Sequence, residues 1–313
     1  MAKKTKQDRH NPNHPGAANL HRCIFFLLSF FILIIACVPT PPLPPPIPPP
    51  KPAQIAVVLG AGASKGFAHI GVLKVLETHK IPVHMIVGTS AGSLVGSMYA
   101  YGYNAYELQK MAFALTREDL IDLTIPDNGF IKGEKLEQYV NWALRNTPIE
   151  KLQIPFYAVS TNIQTGEEII FGIGNTGKAV RASCSIPGIF KPAVISEGTF
   201  VDGGVVSPVA VDAARRYGAD VVIAVDISSS LNNSVPQSTI ETILQSIGIM
   251  YAHISQAQLR RADVIITPKV GHIGSADFSM RHEAILEGEK AATEALPKIA
   301  QIISKLMEEG RLR

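Results

Sequence analysis

Two short apolar runs, each followed directly by a glycine, constrain the fold of this chain most strongly. They are Gln54–Leu59 and Val83–Val87, and both are rich in β-branched residues without polar alternation. Such runs are typical of strands that are buried on both faces of a parallel sheet. A helical pattern of apolar residues follows each run, over Ala68–Thr78 and Ala91–Tyr101. A strand, a turn and a helix repeated in this way predict a layered α/β fold.

The rest of the chain continues this alternation. Strands are predicted at Phe156–Thr161, Glu168–Phe171, Val221–Asp226 and Val264–Ile266, and helices at Lys132–Arg145, Val209–Arg216, Thr239–Leu259 and Glu283–Glu309. A chain of 313 residues with 46% hydrophobic side chains has enough material for the core that such a fold needs. We therefore expect a parallel-rich central sheet layered with helices.

The N-terminal segment is predicted to direct export. A basic stretch precedes the apolar run Cys23–Val38, which is shorter than the roughly 20 residues that span a bilayer. A basic region, an apolar run and a small residue before a break are typical of an export signal. The sequence IIAC at 34–37 resembles the bacterial lipobox, which implies removal of residues 1–36 and lipidation of Cys37.

This interpretation locates the folded domain outside the cytoplasm. The basic residues that precede the apolar run place that side of it in the cytoplasm, and this also holds for the alternative, an uncleaved short membrane anchor. A lipidated Cys37 implies an envelope protein on the periplasmic face of a bacterial membrane, the outer membrane in a Gram-negative cell. The membrane is then a partner of the protein through its lipid.

A proline-rich tether is predicted at residues 37–53. Val38–Pro52 holds ten of the 22 prolines of the chain, and proline is incompatible with a helix interior or a central strand. Polyproline II is the expected conformation, which makes a semi-rigid spacer of roughly 45 Å. A docking site for a proline-recognising partner is the alternative. The folded domain is then expected to occupy residues 54–313.

Charge and cysteine content exclude several functional classes. Without the basic residues that precede the apolar run, the chain carries a net charge of about −1, which gives no electrostatic reason to expect nucleic-acid binding. Loss of Cys23 and lipidation of Cys37 leave Cys184 alone, so no intrachain disulfide is expected. No Cys/His spacing typical of metal sites occurs, and neither a metal nor a cofactor is predicted.

A glycine-rich turn, GAGASKG at residues 60–66, follows the first strand. A P-loop needs Ser or Thr directly after the lysine, but Gly66 follows Lys65. A dinucleotide site needs a GxGxxG spacing and an acid near the end of the second strand, and both are missing. The remaining functional interpretation is an oxyanion hole, formed by backbone N–H groups at Gly60, Gly62, Ala63 and Gly66 with Lys65 in support. A purely structural turn is the alternative.

The second strand leads into GTSAG at residues 88–92 and then directly into a helix. A strand, GxSxG and a helix in this order are typical of a nucleophile elbow. Gly88 and Gly92 permit the sharp turn that presents the hydroxyl of Ser90, which is therefore the candidate nucleophile. The alternative is a tight turn in which Ser90 only caps the helix.

A serine nucleophile needs a base, and two candidates follow it in the chain. Asp202 begins the sequence DGG, where Gly203 and Gly204 predict a turn that leaves its carboxylate exposed. His272, in VGHIG, completes the order Ser, Asp, His found in α/β-hydrolases, so an ordinary triad stays open at this point. His69 and His84 are predicted to be packing residues.

Three motifs in order resemble those of the patatin-like phospholipase family. They are GAGASKGFAHIGVLKVLE at 60–77, GTSAGS at 88–93 and DGG at 202–204, and RASCSIPGIFKP at 181–192 and GADVVIAVD at 218–226 are also similar. The resemblance covers residues 54–226 and is to the bacterial members related to the neuropathy-target-esterase group. It implies a three-layer fold with a mostly parallel central sheet flanked by helices.

The resemblance also implies a mechanism. In that family a Ser–Asp dyad acts without histidine, which gives Ser90 the role of nucleophile and Asp202 that of general base. Backbone N–H groups of Gly62, Ala63 and their neighbours hold the oxyanion, although Ala61 and Ala63 replace glycines of the commoner loop. The implied substrate is a phospholipid or a lysophospholipid. The alternatives are a Ser-His-Asp esterase for soluble esters and a non-catalytic, membrane-tethered binding module.

Overall fold

The structure is a computed structural model that describes residues 48–228 and 235–312. The described residues from Pro50 onward form one compact unit. The predicted signal at 1–36, the lipidation site Cys37 and most of the proline-rich tether lie outside the described residues, so these assignments and the domain limits stay predictions. Within the described ranges, no helix is both long enough and apolar enough to cross a bilayer.

The described strands pair into one eight-stranded sheet. They are β1 (Ile55–Leu59), β2 (Met85–Thr89), β3 (Phe156–Asn162), β4 (Glu168–Phe171), β5 (Ala193–Ile195), β6 (Gly198–Asp202), β7 (Val221–Val225) and β8 (Val264–Ile266). The order is β5-β6-β3-β2-β1-β7-β8, and β4 pairs with β3. Strands β8, β7, β1, β2 and β3 are parallel neighbours, whereas β4, β5 and β6 join by antiparallel pairing. The predicted parallel-rich sheet is therefore confirmed, with an antiparallel part at one end.

Helices cover both faces of the sheet. They are α1 (Phe67–Thr78), α2 (Ala91–Tyr101), α3 (Ala105–Ala114), α4 (Glu134–Ala143), α5 (Thr176–Ser183), α6 (Val211–Arg216), α7 (Thr239–Leu259) and α8 (Arg281–Glu308). Successive side chains of a strand point to opposite faces. In β1, Ile55, Val57 and Leu59 join the core with α1, α2 and α8, whereas Ala56 and Val58 join the core with α6. Two cores on one sheet make the three-layer α/β architecture that was predicted.

The predicted elements differ from the structure in a few places. The second strand was predicted at Val83–Val87 but is Met85–Thr89, because its parallel pairing with β1 and β3 continues through Gly88 and Thr89. Helices α3 and α5 and strand β5 were not predicted. Helix α3 begins with a capping box, in which Asn104 and Glu107 satisfy each other's backbone N–H groups. That signal is readable in a sequence.

Candidate active site

The turn between β2 and α2 holds Ser90 in a strained conformation. Its backbone has φ 54° and ψ −124°, a region that residues other than glycine rarely adopt. Such strain costs about 1–3 kcal/mol and persists where the surroundings enforce it. A Cβ on Gly92 would lie 2.0 Å from the carbonyl oxygen of Leu59, so only glycine lets α2 begin this close to β1. The predicted sharp turn is present, and Gly88 lies in the strand that enters it.

Strand β3 brings Asp202 next to this turn. β2 pairs with the first four residues of β3, and β6 pairs with the last three. β4 pairs with the four residues in the middle, which include members of both sets. β4 therefore occupies one edge of β3, and β2 and β6 share the other. Thr89 lies opposite Val159, and Asp202 lies opposite Ser160. The residue before Ser90 and the acid itself thus pair with consecutive residues of one strand.

The side chains of Ser90 and Asp202 are joined by a short hydrogen bond. The hydroxyl of Ser90 donates to Oδ2 of Asp202 over 2.5 Å, and the amide of Gly204 donates to Oδ1 over 2.7 Å. The amide of Ser90 donates to the hydroxyl of Ser183 over 2.9 Å. Each carboxylate oxygen therefore has a donor, and the serine is held from two sides.

The prediction of an exposed carboxylate is wrong, because Asp202 is fully buried. The turn at DGG is enclosed by β3, by the segment after α5 and by α7. The Asp202 amide donates to the carbonyl of Ser185, and the hydroxyl of Thr161 donates to the carbonyl of Asp202. Burial raises the pKa of Asp202 to about 6, although hydrogen bonds from Ser90 and Gly204 work against that rise. A carboxylate in this state is a much better base than an exposed one.

The glycine-rich turn lies against the start of α2, since a Cβ on Gly66 would lie 2.6 Å from Cβ of Ala91. The amides of Gly60, Ala61 and Ser64 donate to carbonyl oxygens outside the turn, and the amide of Lys65 donates to the carbonyl of Gly62 within it. The amides of Gly62 and Ala63 make no hydrogen bond within the described part of the chain. Ala63 has a positive φ of 51°. The turn thus leaves two adjacent N–H groups available, and Ala63 and Ser90 line the same cavity.

Lys65 is a buried residue of the glycine-rich turn. Desolvation lowers the pKa of Lys65, and the charge of Asp226, just after β7, opposes that change. His69 lies in the same buried region, and its Nε2 is 2.8 Å from the carbonyl oxygen of Gly60. Burial lowers the pKa of His69 to about 4. His69 thus contacts the turn at Gly60, and the charge of Lys65 interacts with that of Asp226.

Histidine takes no part in the Ser90–Asp202 contact within the described residues. Nε2 of His272 pairs with Oε1 of Glu283 over 2.7 Å in an exposed position. The ring of His84 accepts the amide hydrogen of Ile55 over 3.1 Å. His69 is bonded to the glycine turn as described above. The structure therefore brings Ser90 and Asp202 together and holds His272 in another contact.

A cavity of about 280 Å³ opens beside Ser90. Its wall is apolar, with side chains from six separate parts of the chain, including Phe67, Leu94, Phe130, Ile189 and Leu244. Among the described residues that line it, Arg117 is the charged one. The sequence did not reveal this cavity, because its walls meet only in three dimensions. Within the described residues, no group of His, Cys, Asp or Glu side chains is arranged to hold a metal ion.

Comparison with known proteins identifies the family of this chain. The model of the patatin-like phospholipase family matches residues 57–215, which include the glycine turn, Ser90 and Asp202. The chain belongs to the patatin-like phospholipase family. This is the family that the motifs indicated, and the predicted fold agrees with that of its structural relatives.

Relatives of this patatin-like chain include both longer enzymes and bacterial proteins. It is 28% identical over 285 residues to lysophospholipase NTE1 of Pyricularia oryzae, which covers 79% of this chain and 18% of that protein. It is 33% identical over 180 residues to an NTE family protein of Mycobacterium bovis, covering 56% of this chain and 50% of that one. The chain thus spans half or less of these relatives. The predicted relation to the NTE group is confirmed.

A solved structure shares the fold. VipD from Legionella pneumophila superposes with a TM-score of 0.54 at 12% identity, over 79% of this chain and 67% of that one. At this identity the likeness concerns the fold alone.

Proposed function

We propose that this chain hydrolyses the acyl ester of lysophospholipids, whose single acyl chain binds in the cavity. Ser90 is the nucleophile and Asp202 is the general base. The observation that carries the proposal is the 2.5 Å hydrogen bond between these two side chains beside an apolar cavity. A nucleophile in hydrogen-bond contact with a base is the arrangement that covalent ester hydrolysis needs.

The first half of the reaction transfers the acyl group to the enzyme. Asp202 takes the hydroxyl proton of Ser90 while the serine oxygen attacks the ester carbonyl. The oxyanion that forms is held by the amides of Gly62 and Ala63, joined by the amide of Ala91 at the first position of α2. When the tetrahedral intermediate collapses, the bond to the alcohol breaks, and Asp202 returns the proton to the departing alcohol.

The second half frees the acyl chain. A water molecule attacks the acyl-enzyme, and Asp202 takes one of its protons. Collapse of the second tetrahedral intermediate breaks the bond to Ser90, which recovers its hydroxyl proton from Asp202. The products are a fatty acid and the enzyme in its starting state. Each proton taken by Asp202 is thus returned within the same half-reaction.

The cavity supports a single acyl chain as the bound part of the substrate. Its volume of about 280 Å³ lies just below the range of about 300–1,000 Å³ typical of ligand pockets, as expected for a small ligand portion such as one chain. Its wall offers apolar contacts along almost its whole length, and Arg117 supplies a positive charge that attracts a phosphate. A lysophospholipid has one chain and one phosphate, which matches this combination.

The outer edge of the cavity supports action at a lipid surface. Leu123 lines the cavity and is 78% exposed, and Ile125, two residues further along the chain, is 88% exposed. Exposed apolar side chains of this size beside a lipid-binding cavity favour contact with a micelle or a bilayer. The predicted lipidation of Cys37 would keep the enzyme at such a surface. A Cys37→Ala protein that still carries covalent lipid would contradict the anchoring part of the proposal.

The test is hydrolysis of micellar lysophosphatidylcholine by the full chain and by three variants. Ser90→Ala and Asp202→Asn are expected to lose at least a hundredfold in kcat/KM, whereas His272→Ala is expected to stay within threefold of the wild type. Full activity of Ser90→Ala would exclude the nucleophile. Loss of activity in His272→Ala, with Asp202→Asn unaffected, would favour a histidine-dependent esterase instead.

A further inference from the structure

The hydroxyl of Tyr251 is a buried polar group that the proposed reaction does not yet use. Tyr251 lies on α7 with its ring almost fully buried. Its hydroxyl oxygen forms no hydrogen bond of normal geometry within the described part of the chain. Buried tyrosine hydroxyls usually have a partner, because leaving one unpaired costs free energy. The groups around the hydroxyl therefore indicate which partner it has.

The ring of Tyr251 is packed on the glycine that holds Asp202. A Cβ on Gly204 would lie 2.3 Å from Cζ of that ring and 2.7 Å from its hydroxyl oxygen. Only glycine at position 204 therefore leaves room for the tyrosine. The amide of the same glycine donates to Oδ1 of Asp202 over 2.7 Å. The phenol thus lies over the turn that carries the carboxylate.

Two titratable side chains face Asp202 from neighbouring elements in the described part of the chain, Tyr251 from α7 and Cys184 from the end of α5. Burial and then the charge of Asp202 raise the pKa of Cys184, and burial followed by Asp202 raises the pKa of Tyr251. Both groups are therefore neutral at physiological pH. The Cys184 Sγ is 3.7 Å from the hydroxyl of Ser93, while the phenol interacts with the carboxylate itself.

We propose that Tyr251 is a positioning residue for Asp202, whose hydroxyl donates to the carboxylate and holds it, ionised, against Ser90. This rests on the proposed function of Asp202 as the base. Ser90, the amide of Gly204 and Tyr251 then form three donors around one carboxylate. When Asp202 takes the proton from Ser90, the serine no longer donates, and Tyr251 and the amide keep the acid in place for the return of the proton.

The consequence is a change in the titration of Asp202 when the hydroxyl is removed. A donor to the charged form lowers the pKa of a carboxyl, so its loss raises that pKa. In Tyr251→Phe the ring remains, and the pKa of Asp202 should rise from about 6 by about one unit. The acid limb of kcat/KM for a soluble p-nitrophenyl ester should move to higher pH by the same amount.

The experiment is a ¹³C-carboxyl NMR titration of Asp-labelled protein, with the Asp202 signal identified by its absence from Asp202→Asn. Tyr103→Phe is the matched control, because it also removes one phenol hydrogen bond, the 2.8 Å contact with the carbonyl of Ala143. The proposal expects a higher midpoint in Tyr251→Phe and an unchanged one in Tyr103→Phe. An Asp202 midpoint unchanged by Tyr251→Phe would overturn it.

A second variant covers the case in which Tyr251→Phe does not fold. In Gly204→Ala the methyl group occupies space of the ring and displaces the phenol, so the Asp202 midpoint should rise in the same direction. The titration needs no turnover, so its result stands apart from the catalytic assignment. A raised midpoint with an unmoved acid limb would contradict Asp202 as the base while supporting its contact with Tyr251.

Discussion

The cavity beside Ser90 has two walls that are held in different ways. On the catalytic wall, the glycine turn and the turns at Ser90 and Asp202 sit at the ends of buried strands and are tied down by backbone hydrogen bonds. On the opposite wall, the described segment from Leu115 to Ile131 contains no helix or strand. It is connected to the rest of the domain by a few backbone hydrogen bonds at its end, such as those from the amides of Phe130 and Ile131 to the carbonyl of Ile189, and by apolar side chains.

This difference agrees with what each wall would do in the proposed reaction. Electrostatic stabilisation of a transition state needs donors fixed in place before the reaction begins. An acyl chain needs only apolar surface, which many side-chain arrangements provide. Substitutions on the catalytic wall should therefore change the rate with every ester, whereas those on the opposite wall should change which esters are used.

The largest effect is expected from Asp202→Asn. The amide keeps the shape of the side chain but cannot take a proton, so kcat/KM should fall about a thousandfold for soluble and micellar esters alike. In the wild type, the pKa of about 6 should appear as an acid limb, with activity lost as the pH falls below it. Steady-state kinetics from pH 4.5 to 9 measures both. A loss confined to micellar substrate would remove the distinction between the walls.

Asp202→Asn should also change how stability depends on pH. In the wild type, the contribution of this side chain to stability falls as the pH rises, whereas activity falls as the pH is lowered. Because burial raises the pKa of Asp202 to about 6, the folded protein binds this proton more tightly than the unfolded chain. Its contribution to stability is present below pH 4 and is lost as the pH rises through 6, an amount of up to about 3 kcal/mol. Asp202→Asn should not show this loss. Urea unfolding at pH 4.5 and pH 8 gives the comparison.

Asp220→Asn is the control for that measurement. At Asp220 desolvation is outweighed by the amide of Gln54 and by Arg311, which lower its pKa. The wild-type side chain therefore contributes stability at neutral pH that is lost as the pH falls, the reverse of the effect at Asp202. Equal pH dependence in both variants would show that the buried carboxylate is not the cause.

A smaller and more selective effect is expected on the opposite wall. Leu123→Ser removes a cavity-lining side chain that is 78% exposed and should lower activity on micellar lysophosphatidylcholine about tenfold. A soluble short-chain ester should be affected much less. Ile173→Ser is the matched control, because Ile173 is 77% exposed and does not line the cavity. A similar loss in both variants would argue against a lipid contact at Leu123.

The smallest effect is expected within the glycine turn. Ala63 has a φ of 51°, which costs a residue with a Cβ about 1–2 kcal/mol. Ala63→Gly removes that cost but adds flexibility to the unfolded chain, so the free energy of unfolding should rise by less than about 1 kcal/mol. Ala61→Gly lacks this gain and should destabilise, because it only removes a buried methyl group. Urea unfolding of both variants measures the difference.

The sequence predicts the local features of the catalytic wall well. The turn at Ser90 is formed by neighbouring residues, so its strand, glycines and helix can be read together. Helix α7 and strand β8 are also local features of this kind, and their observed limits equal the predicted ones. The role of Asp202 came from resemblance, and its exposure was predicted wrongly, because the residues that bury it come from β3 and α7. Local turn chemistry contains no information about such distant segments.

The exposure and contacts of residues on the opposite wall could not be predicted from the sequence, for a related reason. Leu123 and Ile125 are residue types that are usually buried in a core, yet both are exposed. Tyr251 resembles any other apolar position of a helix until its ring is found on Gly204. In both cases the property that matters is a distance between elements, and only the packed fold defines it.

The shared edge of β3 has a consequence for turnover. Because β2 and β6 are hydrogen-bonded to the same strand, the separation of Ser90 from Asp202 is set by backbone register and does not depend on a loop closing over the substrate. The reacting groups therefore need no reorganisation when a lipid arrives. The slow events of the catalytic cycle are then expected to be the exchange of the acyl chain between the cavity and the lipid phase, before and after the chemistry.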